Sequence, residues 1–371
     1  MSGVLSGIRV LELGGKGPTP FAGMMLADMG AEVVAVDRAG AVTPDDLSVF
    51  GRGKHRLRLD LKSPEARGLL HAAMSGIDVV IEGFRPGVAE RLGLGPADVH
   101  AVNPRVVYGR MTGYGQDGPW SRAPGHDVNF IAMSSALAHV GPREGPPVVP
   151  LNLVGDFGGG GMLLVTGVLG ALVERGASGR GQVVDAAMTD GSAQLMAWAY
   201  AARAHGDWSD ERGGNATDGS APFYRAYETA DGGFVSVGAL DPGHYVELMR
   251  VCGIDPAPDQ YDRTQWPALS RRLEETFAAR DRASWVARFD GVETSFAPVL
   301  TMAEAHTHPY HVERETFVEL DGVLQPAPAP RFDRTPSRPR PPAAADAVST
   351  LAVLGVGERD ARDLLARGIA G

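Results

Sequence analysis

Two residues that can move protons stand where the sequence predicts helices to begin. The first is His126, which lies in the motif GHD (125–127) directly before an apolar stretch with helical periodicity. The positive end of a helix dipole favours the neutral imidazole, which is the form that acts as a base. A histidine that only caps the helix or packs in the core remains the alternative.

The second residue is Asp156, which precedes four consecutive glycines (158–161). A plain N-cap would account for the aspartate alone. Inside a helix each glycine is less favourable than alanine by about 1 kcal/mol, so the run predicts a compensating role. We expect the bare backbone to receive a bulky ligand. The free N–H groups at this helix start, including that of Asp156, would then stabilise negative charge that develops on the ligand.

Several basic residues follow predicted strands or lie in glycine-containing loops. They are Arg38 at a strand end, Arg52 and Lys54 in a glycine-rich loop, Lys62 before a helix, and Arg85 and Arg91 on either side of a Pro-Gly turn. Each alone is compatible with a solvated surface charge. At the ends of successive strands of one sheet, however, they could surround a phosphorylated nucleotide such as the adenosine half of coenzyme A.

Two other kinds of site are disfavoured. The turn GGKGPTP (14–20) followed by Asp37 has the layout of a dinucleotide site, but Pro20 stands where that site needs its third glycine. The histidines at 306, 308 and 311 lack a carboxylate at a spacing that completes a metal site. We therefore expect neither NAD(P) nor a bound metal.

The elements that must position these residues alternate between strands and helices. Aliphatic runs at 8–13, 31–37, 78–83, 105–111 and 182–188 predict strands, with helices between them from about Pro20 and Ser63. Such alternation implies a parallel sheet with crossover helices, so the fold class is α/β with a Rossmann-like large domain.

The second half of the chain changes character. Residues 206–222 are rich in glycine, aspartate and serine, and residues 223–240 have the pattern of a β-hairpin. We predict a large domain over 1–190, a linker over 191–222, a small α+β domain over 223–310, and a return to the large domain over 311–371.

Composition limits the class of function. The net charge of the 371 residues is -10, which argues against nucleic acid as a partner. The single cysteine, Cys252, cannot form an internal disulfide, and the first residues lack the pattern of a secretory signal, so we expect a cytoplasmic protein. Residues 157–173 carry no charge but are short and rich in glycine for a membrane span, which favours a buried helix.

Taken together, the segments GHDVNF, PLNLVGDFGGG, GRGQVVDAAM, APFYRAYETADG and EGFRPGV give the chain a resemblance to the α-methylacyl-CoA racemases of the family III CoA-transferase superfamily, from about residue 5 to 342. The resemblance implies a Rossmann-like large domain, a small domain and an interlocked homodimer whose active sites use both subunits. It implies that His126 and Asp156 are the acid/base pair and that Arg38, Arg52, Arg85 and Arg91 contact CoA.

Further contacts complete this expectation. Lys62, Asn152 and Gly155 join the predicted substrate and CoA contacts. Racemases of this family usually have a glutamate in the small domain that hydrogen-bonds the histidine, and the matching residue here is Asp241. Because aspartate is one methylene shorter, the contact would run through water or need a small shift of the helix.

The resulting expectation is a racemase that interconverts (R)- and (S)-2-methylacyl-CoA by transfer of the C2 proton through an enolate. It needs no cofactor, since CoA is part of the substrate. A CoA transferase with Asp156 as nucleophile is the main alternative, and a CoA-binding protein without catalysis is a third. The acyl group is not readable from the sequence.

Overall fold

Aliphatic segments build a six-stranded sheet in the first half of the chain. The computed structural model describes residues 3–38, 49–343 and 346–371. The strands of this sheet are β1 (Arg9–Leu13), β2 (Glu32–Arg38), β3 (Lys54–Leu59), β4 (Val79–Glu82), β5 (Val107–Thr112) and β6 (Val183–Ala187). All pairings are parallel, in the order β3-β2-β1-β4-β5-β6. The predicted Rossmann-like α/β fold is therefore confirmed.

Helices connect these strands. They are α1 (Pro18–Asp28), α2 (Pro64–Ala73), α3 (Val88–Arg91), α4 (Pro96–Val102), α5 (Asp127–Met133), a π-helix (Leu153–Met162), α6 (Leu163–Ser178) and α7 (Met188–Leu195). The helix α2 begins as the sequence predicts, because the Ser63 hydroxyl accepts the N–H groups of Glu65 and Ala66. One core forms on each face of the sheet.

Strand β3 was not predicted from the sequence. Its segment KHRLRL alternates basic residues with Leu57 and Leu59, both fully buried. Lys54, at its start, is also buried, and its ammonium donates to a Glu12 carboxylate oxygen at 2.7 Å. A buried pair that joins residues from two strands is not visible in a local pattern.

The chain then forms a second set of elements. They are α8 (Ala197–Ala204), β7 (Tyr224–Glu228), β8 (Phe234–Gly238), α9 (Pro242–Val251), α10 (Trp266–Ala278), α11 (Arg282–Phe289), β9 (Phe296–Pro298), α12 (Met302–Ala305) and α13 (Pro309–Glu313). The antiparallel sheet β7-β8-β9 contains the predicted hairpin. The last elements are β10 (Phe317–Leu320), β11 (Val323–Pro326), α14 (Ala347–Val353) and α15 (Glu358–Ala366).

Two compact units result. The first comprises the described parts of 1–134, 151–195 and 315–371, and the second comprises 135–150 and 196–314. Most of the segment predicted as a linker, 191–222, belongs to the second unit. So does 135–150, which the sequence does not separate from the large domain.

The π-helix and α6 form one continuous apolar segment. Leu153–Ser178 is long and apolar enough to cross a membrane by length and composition alone. One side of it packs on the sheet, where Leu164, Val165 and Val168 are buried. Part of its apolar character therefore serves the core of the first unit.

Candidate active site

A cavity of about 310 Å³ lies at the carboxyl ends of the parallel strands of the first unit. The turn after β1, the loop after β4, the end of β5, the start of α5 and the π-helix all contribute to its wall. Strands β1 and β4 are neighbours at which the chain reverses its direction across the sheet, and α/β sheets bind ligands at such switch points. The ionisable side chains that line the cavity are Lys16, Arg85, Tyr114, His126 and Asp156.

His126 occupies the N-cap position of α5. Its backbone N–H donates to the Asn129 side-chain oxygen at 3.1 Å, while its imidazole has no hydrogen-bond partner among the described residues. The side chain is exposed and lines the cavity. The alternative of a satisfied capping or core histidine is therefore not supported, because the ring neither caps the helix nor packs in the core.

Asp156 lies within the π-helix and lines the same cavity. The N-cap of this helix is Asn152, so the carboxylate of Asp156 does not serve as a cap. The Asn152 amide instead donates to Asp156 Oδ2 at 3.2 Å. Asn152 therefore holds one oxygen of the predicted acid/base carboxylate.

Asp127 fixes the backbone that carries Asp156. Its Oδ2 accepts the N–H groups of Gly155 at 2.6 Å and of Asp156 at 2.8 Å. The expectation that the Asp156 N–H stabilises an enolate is therefore wrong, because that donor is already engaged. The GHD motif contains Asp127, but nothing in the local pattern reveals that its partners lie 28 and 29 residues later.

Burial of the Asp156 carboxyl favours its protonated form. Burial raises the pKa of the Asp156 carboxyl above its ordinary value. The hydrogen bond from Asn152 lowers that pKa, the negative charge of Asp127 raises it, and His126 lowers it, but burial prevails. A carboxyl group with a raised pKa can both give and take a proton closer to neutral pH.

The glycine run serves packing. A Cβ on Gly159 would lie 2.6 Å from the Ser192 nitrogen, and one on Gly161 would lie 2.6 Å from the Phe21 ring. The run therefore brings the π-helix into contact with α7 and α1. Gly155 is buried in the same way, since a Cβ there would lie 2.7 Å from Asp127 Oδ2. The expected approach of a ligand to these glycines is not supported.

The predicted CoA contacts separate into different environments. Arg85 is exposed and lines the cavity, whereas Lys62 and Arg91 are exposed but lie outside its lining. Strand β2 ends at Arg38, whose side chain lies outside the described part of the chain.

Arg52 does not fit the expectation of a phosphate contact. Its side chain is 3% exposed, and its guanidinium makes a bidentate ion pair with Asp28, with Nη2 at 2.6 Å from Oδ2. Its Nη1 donates to Gln325 Oε1 at 3.0 Å and to the Pro326 carbonyl at 2.7 Å. A direct CoA contact by Arg52 is therefore not supported, because protein acceptors surround the guanidinium.

Asp241 belongs to the second unit, at the N-cap of α9. Its side chain is 79% exposed, and its Oδ2 lies 3.5 Å from His244 Nδ1. Its role toward His126 stays a prediction. Within the described ranges, no three histidine, cysteine, aspartate or glutamate side chains converge closely enough to hold a metal ion.

The chain is similar in sequence and fold to known proteins. Residues 5–345 match the family described as CoA-transferase family III. The chain is 43% identical to the α-methylacyl-CoA racemase of Mus musculus over 91% of its length and 88% of the relative's. It is 41% identical to the racemase of that name from Homo sapiens, over 90% and 88%. A CAIB/BAIF family protein from Brucella suis superposes with a TM-score of 0.81 at 25% identity, covering 95% of this chain and 100% of that one.

Proposed function

The chain belongs to CoA-transferase family III, and we propose that it interconverts (R)- and (S)-2-methylacyl-CoA thioesters. One base removes the proton from C2, a planar enolate forms, and the other group returns a proton to the opposite face. The observation that carries the proposal is that His126 and Asp156 line one cavity. The names of the mouse and human relatives agree with this activity.

His126 and Asp156 act as the base and the acid of the proton transfer. With Asp156 protonated and His126 neutral, the imidazole takes the C2 proton and the carboxyl group returns one; the reverse reaction exchanges these roles. The raised pKa of Asp156 supports this, because its protonated form is then populated closer to neutral pH. Asn152 and Asp127 hold Asp156 in place. CoA enters as part of the substrate. Arg85 is the cavity cation that, by the family resemblance, contacts CoA.

The decisive experiment follows one enantiomer of a 2-methylacyl-CoA in D₂O. We expect loss of optical purity with incorporation of deuterium at C2. His126→Ala and Asp156→Ala should each lower the rate by at least about 100-fold while CoA binding is largely kept. Matched controls are Asp190→Ala and His205→Ala, which remove the same side chains at exposed positions outside the cavity.

The same assay distinguishes the other activities. If Asp156 is a nucleophile, CoA passes to an added carboxylic acid without exchange at C2, and the protein is a transferase. Binding of acyl-CoA without exchange or transfer would indicate a non-catalytic binding protein. The position of His126 in the cavity favours the racemase, because a transferase of this kind needs no second base.

The proposal includes a homodimer in the cytoplasm. Met133 on α5, Leu153 on the π-helix and Leu195 on α7 are apolar and each more than half exposed. Large apolar side chains on neighbouring elements support burial against a second copy. Light scattering should give about twice 39.0 kDa for the particle mass, and cell fractionation tests the location.

A further inference from the structure

Lys16 occupies an unusual turn at the edge of the cavity. It is the only residue with a side chain in the turn Gly14–Gly17. The three glycines have positive φ angles of 57°, 99° and 62°, a conformation that residues with a Cβ rarely adopt. The turn therefore presents one long cationic side chain, which lines the cavity.

A second cation comes from the neighbouring loop. Gly15 and Gly83 are in backbone contact, since a Cβ on Gly83 would lie 2.8 Å from the Gly15 Cα. This contact brings the loop that carries Arg85 beside the turn that carries Lys16. Both side chains are exposed in the cavity wall, and neither has a hydrogen bond or ion pair with another described residue.

The cavity therefore holds an excess of positive charge. Asp156 is the only carboxylate among its described lining residues, and the Asn152 amide already donates to it. Two cations that pair with no described residue attract an anionic ligand to the cavity and raise its local concentration. The CoA phosphates account for Arg85 under the family resemblance, which leaves Lys16 without an assigned partner.

The position of the turn suggests where this partner lies. A Cβ on Gly17, the residue after Lys16, would be 3.6 Å from Asp156 Oδ2. The turn thus borders the group that exchanges the C2 proton. The flexible four-carbon stem of a lysine can place its ammonium against an anionic group that is a few bonds away from C2 of the substrate.

We propose that Lys16 determines specificity by binding an anionic group of the acyl-CoA substrate. This inference rests on the proposed function. The position of Lys16 beside Asp156 favours a carboxylate on the acyl group. The substrate class is therefore a 2-methyl dicarboxylic acid bound to CoA through one of its two carboxyl groups. A CoA phosphate would present the same chemistry to the ammonium.

The test compares two substrates that differ in one charge. The first is 2-methylglutaryl-CoA, and the second is 2,5-dimethylhexanoyl-CoA, in which an isopropyl group replaces the carboxylate. Steady-state kinetics and calorimetric binding are measured for the wild type, Lys16→Met and Lys16→Arg. Arg359→Met is the matched control, because it removes an exposed cation on α15 outside the cavity.

We expect Lys16→Met to lower kcat/KM for the carboxylate substrate by about tenfold or more, mainly through KM. The neutral substrate should change less than about twofold, and Lys16→Arg should restore most of the loss. An equal rise of KM for both substrates, with weaker binding of free CoA, identifies the anion as a CoA phosphate and overturns the role of Lys16 in acyl specificity. No loss for either substrate, or a loss in kcat alone, overturns the inference.

The calorimetric binding measurement distinguishes failure of this inference from failure of the racemase proposal. If the wild type exchanges no deuterium at C2, the racemase proposal fails. The calorimetric comparison of Lys16→Met with the wild type still reports whether Lys16 binds an anion of the ligand.

Discussion

Neighbouring groups shift the pKa of Asp156, and single substitutions can separate their contributions. An exchange between two bases needs a pair that holds one proton, so kcat/KM should have a bell-shaped pH dependence that belongs to the pair. A carboxyl group ordinarily binds its proton less tightly than an imidazole. The acid limb therefore reports Asp156, whose raised pKa places that limb above the ordinary range of an aspartate.

Asp127→Asn should move the acid limb to lower pH. The amide oxygen can still accept the two N–H groups that Asp127 accepts, so the backbone of Asp156 stays in place. The negative charge that raises the pKa of Asp156 is lost, the pKa falls, and activity persists to lower pH. The measurement is kcat/KM against pH for the variant and the wild type.

Asn152→Ala should move the same limb in the opposite direction. The variant removes the hydrogen bond that lowers the pKa of Asp156, so that pKa rises. As the pH is lowered, activity should therefore begin to fall at a higher pH than in the wild type. Asp190→Asn, an exposed position on α7, is the control and should leave the profile unchanged. If Asp127→Asn and Asn152→Ala shift the limb in the same direction, the acid limb does not belong to Asp156.

At the scale of elements, the close packing of the π-helix depends on missing side chains. Gly159→Ala should lower the free energy of unfolding by about 1–3 kcal/mol, because the new methyl group meets the backbone of α7. The nearest atom, the Ser192 nitrogen, lies 2.6 Å from the added Cβ and cannot move without the helix. Urea unfolding followed by circular dichroism measures the change.

Gly170→Ala is the matched comparison, since Gly170 lies in α6 with no atom of a described neighbour within 4 Å of an added Cβ. There the substitution should stabilise the protein by up to about 1 kcal/mol, because alanine favours the helix. Equal effects at 159 and 170 would mean that the glycine run has no packing role.

Arg52 joins α1, the loop before β3 and β11. Arg52→Met should lower the free energy of unfolding by about 3–5 kcal/mol, because it leaves the Asp28 carboxylate buried without its partner. Arg52→Lys keeps the charge and should lower it less. Where the variants are folded, KM for acyl-CoA should stay close to that of the wild type.

Arg85→Met should weaken substrate binding without destabilising the fold, the reverse of the result expected for Arg52. Arg85 is exposed in the cavity wall, so its loss should raise KM with little change in the free energy of unfolding. A raised KM for Arg52→Lys without loss of stability would return Arg52 to the CoA site.

The sequence predicts the candidate proton-transfer residues but not the residues that hold them in place. His126 and Asp156 stand in compact motifs whose residue types define their chemistry, and the parallel strands follow from aliphatic runs. The role of Arg52 depends on Asp28 and Gln325, which are 24 and 273 residues away. Such partners meet only in the folded chain. The packing role of the glycine run is hidden for the same reason, because its neighbours are the distant helices α1 and α7.

At the scale of the whole molecule, the division into units constrains how a site can be assembled. His126 and Asp156 belong to the first unit, and Asp241 belongs to the second. If each active site of the proposed homodimer takes the first unit of one subunit and the second unit of the other, lesions in different units should complement each other. Co-expression with two different affinity tags yields the heterodimers that this test requires.

The heterodimer of His126→Ala with Asp241→Ala is the informative pair. One of its sites carries both lesions and the other carries neither, so purified heterodimer should have about half of the wild-type activity. The control heterodimer combines His126→Ala with Asp156→Ala. These residues line one cavity of a single chain, so each of its sites keeps one lesion and it should stay inactive. If the first heterodimer is as inactive as the second, although Asp241→Ala alone impairs the enzyme, each site is built within one subunit and the interlocked arrangement does not hold.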